Sequence, residues 1–182
     1  MPVTFIVEDG TGVANANSLS TVEYADQYFL DRPWGGDWAG FTADGKKQNL
    51  VGATWILTTM LDWKGWPIDY GQPLPFPRAG LADRNGFWYP TNQIPREVLY
   101  AVCELALVLG KTPERYTTEP GALGVTGVSL AGVIDVDMNK APGISQVLPV
   151  IPDNILALIG HLAGPTSGVG SGNSFLPKER RL

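Results

Sequence analysis

Residues 42–62 read TADGKKQNLVGATWILTTMLD, and this stretch decides the fold class. Thr42 stands where its hydroxyl can accept a bond from a free backbone N–H and so start a helix. Leu50, Ala53, Thr54, Leu57 and Leu61 then recur at three- and four-residue intervals, the period of one helical face, with Val51, Trp55 and Ile56 beside them. So wide an apolar band predicts a helix running to about Asp62 and buried on more than one side. In an assembly subunit the second buried side faces a neighbour.

Other helices flank this one. Ser20 and Glu23 have capping-box spacing, which predicts a helix over 21–31 with Val22, Ala25, Tyr28 and Phe29 on one face and Pro33 after its end. Residues 34–41 read as an aromatic, glycine-rich loop. A third helix is expected from Pro95, a favoured first helical position, to about Leu109. Its stripe is Val98, Val102, Leu105, Ala106 and Leu109, and Gly110 is expected to end it. A last helix follows Pro152, with Ile155, Leu156, Leu158, Ile159 and Leu162 apolar. Two β signals remain. Thr4–Val7 is a short β-prone run ending in the turn Glu8-Asp9-Gly10-Thr11-Gly12, and residues 123–138 suit a hairpin turning near Ala131-Gly132.

Residues 63–94 are the least regular part. They hold Trp63, Trp66, Tyr70, Phe76, Phe87, Trp88 and Tyr89, with prolines at 67, 73, 75, 77 and 90. Asp83-Arg84-Asn85-Gly86 reads as a hairpin tip. A compact domain rarely carries thirty residues of loop with nothing to hold it, so the aromatics are expected to pin the segment to the helices or to a neighbouring subunit. From Gly164 to Ser174 the chain reads as Gly/Ser linker, followed by the basic-hydrophobic end Phe175-Leu176-Pro177-Lys178-Glu179-Arg180-Arg181-Leu182. The expected organisation is a helical domain over 1–163 and a linker with a docking tail over 164–182. The fold class is mainly α: a bundle of about four helices with a β-hairpin, an irregular aromatic and proline-rich loop region, and an extended C-terminal tail.

The 182 residues carry 13 basic and 18 acidic side chains, a net charge of −5, with 44% hydrophobic residues. That supplies a core, and it lacks the electrostatic footprint of a general nucleic-acid binder, which needs clustered Lys and Arg. No basic, apolar leader and no membrane-length apolar run is present, so a soluble protein assembled in a cytoplasm is expected.

Catalytic chemistry is not expected, nor is a cofactor or a metal. The single His161 lies near a helix end and leaves no histidine cluster. Asp135, Asp137 and Asn139 open like a calcium loop, but Lys140 and Gln146 occupy positions that need glycine and glutamate. Cys103, the lone cysteine, sits among helix-interior residues and reads as a small buried hydrophobe.

Several phrases together carry a family resemblance: residues 5–18 (FIVEDGTGVANANS), Ala25-Asp26-Gln27-Tyr28-Phe29, Ala53-Thr54, Trp63-Lys64-Gly65, Phe76-Pro77-Arg78-Ala79-Gly80 and Ile94-Pro95-Arg96-Glu97-Val98. Over roughly 5–138 the chain resembles a phage family labelled DnaT-like single-stranded-DNA-binding protein, which also looks like the head–tail connector (adaptor, neck) proteins. The connector resemblance implies a ring of this chain, of twelve copies, under the portal protein in the virion neck. Such a ring joins tail or nozzle proteins and lets double-stranded DNA pass without holding it. The other label implies a single-stranded-DNA-binding replication accessory. The acidic balance favours the connector, because acidic channel walls repel phosphate. On that reading Trp55, Trp63, Trp66, Phe76, Arg78 and Trp88 are the expected inter-subunit contacts. Phe175, Leu176, Pro177, Lys178, Arg180 and Arg181 are the expected portal-docking residues.

Overall fold

The computed structural model describes residues 3–113, 128–130, 134–136 and 151–165. Among them are five helices: α1 (Val22–Leu30), α2 (Gly35–Ala39), α3 (Ala43–Met60), α4 (Arg96–Lys111) and α5 (Asp153–Ile159). The strands are short: β1 (Leu61–Trp63), β2 (Trp66–Pro67), β3 (Arg78–Ala79), β4 (Val128–Leu130), β5 (Ile134–Val136) and β6 (Ala163–Pro165). They pair antiparallel as β1–β6, β2–β3 and β4–β5. The fold is mainly α, as the periodicity predicts, and β4–β5 is the expected hairpin. The tail residues from 175 onward, the Asp137 and Asn139 positions and much of the segment between α4 and α5 lie outside the described residues.

The core forms where α3 meets α4 and α4 meets α5. Leu50, Ala53, Thr54, Ile56, Leu57 and Leu61 are buried on one side, facing a buried set that includes Val98, Val102, Leu105 and Ala106, with Ile155 and Ile159 from α5. The stripes read from the sequence therefore supply the core, with Leu109, Leu156 and Leu158 half-buried at its edge, and α3 leaves Trp55 exposed, so among the described residues it is buried on one side only. Thr54 is a buried polar member, and its hydroxyl accepts the Leu19 N–H at 3.1 Å, which ties the N-terminal segment to α3. Cys103 is fully buried beside Ser20, and burial pushes its thiol up to about 12, so it behaves as an inert apolar group.

Several boundaries depart from expectation for physical reasons. The cap of α1 is Thr21, which accepts the Tyr24 N–H at 3.0 Å. Ser20 is instead buried, held by the Ser18 hydroxyl. The stretch 34–41 is not all loop, because α2 forms across two glycines. Trp38 drives it: its ring is buried 5.2 Å from Phe29, and its Nε1 donates to Asp26 at 2.7 Å. Helix α3 stops at Met60 and the chain turns into β1. Gly110 lies inside α4 and does not end it. A Cβ there would come within 2.4 Å of Phe41 and Asn49, so this glycine permits close approach of the neighbouring segment. Gly164 and Pro165, read as the start of the linker, belong to β6 and pair with β1.

The predicted turn after Val7 is organised by Glu8, which is buried. Its Oε1 accepts the N–H groups of Gly10 (2.9 Å) and Gly12 (2.8 Å), and its Oε2 accepts that of Val13 (2.8 Å). Gly10 has φ +102, and a Cβ on it would stand 2.2 Å from the Asn92 carbonyl, so the loop lies directly on the run leading into α4. Glu8→Gln would turn an amide NH2 toward the Val13 N–H and leave both donors unpaired. The expected loss is about 2 kcal/mol of unfolding free energy, read from urea denaturation.

Candidate interaction surface

The irregular segment 63–94 is a ribbon folded over one side chain. Arg78 is buried at the start of β3, and its guanidinium bonds only backbone carbonyls. Nε donates to Lys64 O (2.8 Å), Nη1 to Pro75 O (3.1 Å), and Nη2 to Trp63 O (3.0 Å) and Gly65 O (2.9 Å). Burial lowers its pKa from the ordinary value, but arginine stays protonated in proteins. The fork closes the turn between β1 and β2 and sets the register Trp66↔Ala79 and Pro67↔Arg78. Gly65, at φ +66, brings its backbone against the Ala79 carbonyl. Gly80, at φ +74, lies beneath the Trp66 indole, where a Cβ would come within 2.5 Å of the ring.

The ribbon ends in the predicted hairpin tip. One carboxylate oxygen of Asp83 accepts the N–H groups of Asn85 and Phe87, both at 2.8 Å, and these bonds hold its pKa below the ordinary carboxylate range. Ala82 bridges Trp88, and the Tyr89 N–H donates to Leu81 O. Two side chains fasten the tip to the helices. Arg84 donates to the carbonyls of Ala157 and Leu158 at the C-terminal turn of α5. The Tyr89 hydroxyl donates to Glu97 at 3.0 Å, and burial together with that bond pushes the Tyr89 phenol up to about 12.

Of the six residues expected to meet a neighbour, Trp55, Trp66 and Trp88 are exposed. The other three pack inward within the chain, Trp63 only in part. Phe76 is fully buried, Trp63 stacks edge-on against it at 4.8 Å, and Arg78 is the buried clamp, so these support the ribbon from within. They lie at its root, where the backbone must be covered. Ile68, Tyr70 and Phe87 are exposed as well. The only sequence signal for them is proximity to the turns at Gly71 and Gly86. Trp66, Tyr70, Phe87 and Trp88 are 63% to 107% exposed. At about 200 Å² per ring, they open roughly 600 Å² of aromatic surface. Summed over the four rings, this is less than the roughly 800 Å² that each partner gives to a standard interface.

The cations tell a different story from the rings. Arg32 pairs with Glu104 (3.6 Å), Lys46 with Asp26 (2.7 Å), Lys47 with Asp44 (3.7 Å), Arg96 with Glu97 (3.3 Å) and Lys111 with Asp37 (2.6 Å). Arg78 and Arg84 are occupied by carbonyls, which leaves Lys64 as the remaining cation of the described residues. A groove of about 690 Å³ between α1, α4 and α5 is lined by Tyr28, Arg32, Trp34, Glu104 and Lys111. Arg32 lies 3.5 Å over the Tyr28 ring there, and the Tyr28 hydroxyl donates to Glu104. Among the described residues no group of His, Cys, Asp and Glu is placed to hold a metal ion, and no helix is long and apolar enough to cross a membrane.

A family model described as "Putative DnaT-like ssDNA binding protein" matches residues 3–176. No curated protein and no solved structure matches the chain.

Arg78 offers the most direct test of the ribbon. A lysine ammonium cannot span four carbonyls spread over residues 63–75. Arg78→Lys should lower stability by about 2 kcal/mol in urea. It should also open residues 64–72 to limited proteolysis, with α3 and α4 still folded by circular dichroism.

Proposed function

The chain belongs to the family described as DnaT-like ssDNA-binding proteins, and within it we propose that this protein is a non-enzymatic structural subunit of the head–tail connector kind. On this reading copies assemble side by side into a ring under a phage portal, with the aromatic ribbon as the contact. One observation carries it: the exposed rings at 66, 70, 87 and 88 stand in a region whose two arginines are already bonded within the chain, which leaves Lys64 as its one remaining cation. Trp and Tyr in that setting are what anchor protein interfaces. A ring contact repeats around a closed cycle, so modest single contacts add up. A net charge of −5 suits a channel that DNA slides through.

The second reading is single-stranded-DNA binding, and the family description favours it. None of the comparisons names a portal, a ring or a virion. Exposed aromatics do stack bases, but the backbone between stacked bases needs cations alongside. For this chain the unassigned cations are Lys64 in the ribbon and Arg115, Lys140, Lys178, Arg180 and Arg181 outside the described residues. The two readings therefore separate by charge: the connector works through the rings, the DNA binder through those cations.

Light scattering and electron microscopy of the full chain test assembly, and fluorescence anisotropy with a labelled oligothymidylate tests binding. The expected result is a closed oligomer, abolished in the double variant Trp66→Ser and Trp88→Ser with little change in melting temperature. Oligonucleotide binding at physiological salt should be weaker than about 10 μM. A monomer that binds the oligonucleotide at micromolar or tighter affinity, with a steep salt dependence, overturns the connector and supports the second reading. If the tail docks on portal, deleting 166–182 removes co-sedimentation with portal and leaves the ring intact.

A further inference from the structure

The hairpin tip is held to α5 by a cation in an unusual position. Arg84 bonds the carbonyls of Ala157 and Leu158, where the negative end of the helix dipole receives it. His161 follows directly in the turn after α5. Both of its ring nitrogens are shielded from solvent and have no hydrogen-bond partner among the described residues. A neutral imidazole tolerates this at the cost of one orphan N–H. An imidazolium would have two orphan donors and a charge in the same place. The charged groups around it come from three elements: Lys64 in the turn after β1, Asp83 and Arg84 at the hairpin tip, and Glu97 on α4. Arg84 is the strongest of these influences and opposes a second positive charge, as does Lys64, while Glu97 and Asp83 favour one.

We infer that His161 is a pH-sensitive latch for the aromatic hairpin: neutral, it leaves Arg84 seated on α5, and protonated from solvent, it expels Arg84 and frees residues 82–88. The inference does not depend on what the ribbon binds. Undocking is the cheapest way to accommodate the imidazolium, because it takes Arg84 away from the turn that carries His161 and leaves the α3–α4 core as it is. Burial, then Arg84, lower the His161 pKa from its ordinary 6.5. The docked state therefore takes a proton less readily than the undocked one. Docking is at full strength above 6.5 and weakens as pH falls from there to the depressed docked-state value. Asp83 and Glu97 are both held below the ordinary carboxylate range, so they stay ionised across this window.

As the only histidine, His161 gives one ring resonance in proton NMR, which makes its titration direct to read. Its midpoint is expected below 6.5. Amide exchange at the hairpin (Asp83, Phe87, Tyr89), corrected for intrinsic rates, should lose protection over the same range, by up to about tenfold per pH unit for one proton. In His161→Gln the hairpin should keep constant protection from pH 7 to pH 5. In Arg84→Gln the hairpin should be loose throughout and the His161 midpoint should return toward 6.5. A wild-type midpoint at or above 6.5 overturns the latch. So does hairpin protection that ignores pH, or a pH dependence that survives in His161→Gln.

Discussion

The Arg78 guanidinium, buried and bonded to carbonyls of residues 63, 64, 65 and 75, is the constraint on which the outward face of the protein depends. Residues 64–94 have few ladder bonds, because β2 and β3 are two residues each. Their buried carbonyls still need partners, and a side chain with five donors in a fixed fork supplies them at one stroke. The carbonyls in turn stabilise the buried charge of the guanidinium. With that turn closed, Phe76 enters the core, Trp63 packs on it, and Trp66 is laid across Gly80 at the surface. A charge buried at the root thus places uncharged rings at the rim.

How much of this the sequence revealed depends on whether the deciding force was local. Helices α3 and α4 were legible because their core stripes repeat at the helical period, and Thr42 caps where its position in the chain implies. Thr21 and Ser20 are equally able to cap α1; only the burial of Ser20 against Cys103, 83 residues away, decides between them. Two glycines argue against α2, and the burial of Trp38 with its bond to Asp26 overrides them. Gly110 has the right residue type for a helix end, yet its role is set by Phe41 and Asn49, which pack against it and lie far from it in sequence.

The ribbon was legible as a set of residues and not as a surface. Its aromatics follow no period, so nothing in their spacing tells inward from outward. Trp63 and Trp66 are three residues apart and face opposite fates because Gly65 reverses the chain between them at positive φ. Arg78 looked like an interface cation for the same reason: a lone arginine among aromatics and prolines reads identically whether it points at a partner or at its own backbone.

That reversal of Arg78 matters most for function. A surface of tryptophan, tyrosine and phenylalanine suits both a protein neighbour and a run of stacked bases, since each presents apolar faces. Charge separates them. Stacking on single-stranded DNA brings a phosphate with every base, so free cations must interleave with the rings. Here Arg78 and Arg84 serve the fold, Lys64 is the one cation of the segment left over, and Asp62, Asp69 and Asp83 lie in the same stretch of sequence. A protein neighbour asks only for apolar area and a polar rim, and the ribbon offers both. If DNA is held as well, the work falls to Lys64 and to cations elsewhere in the chain.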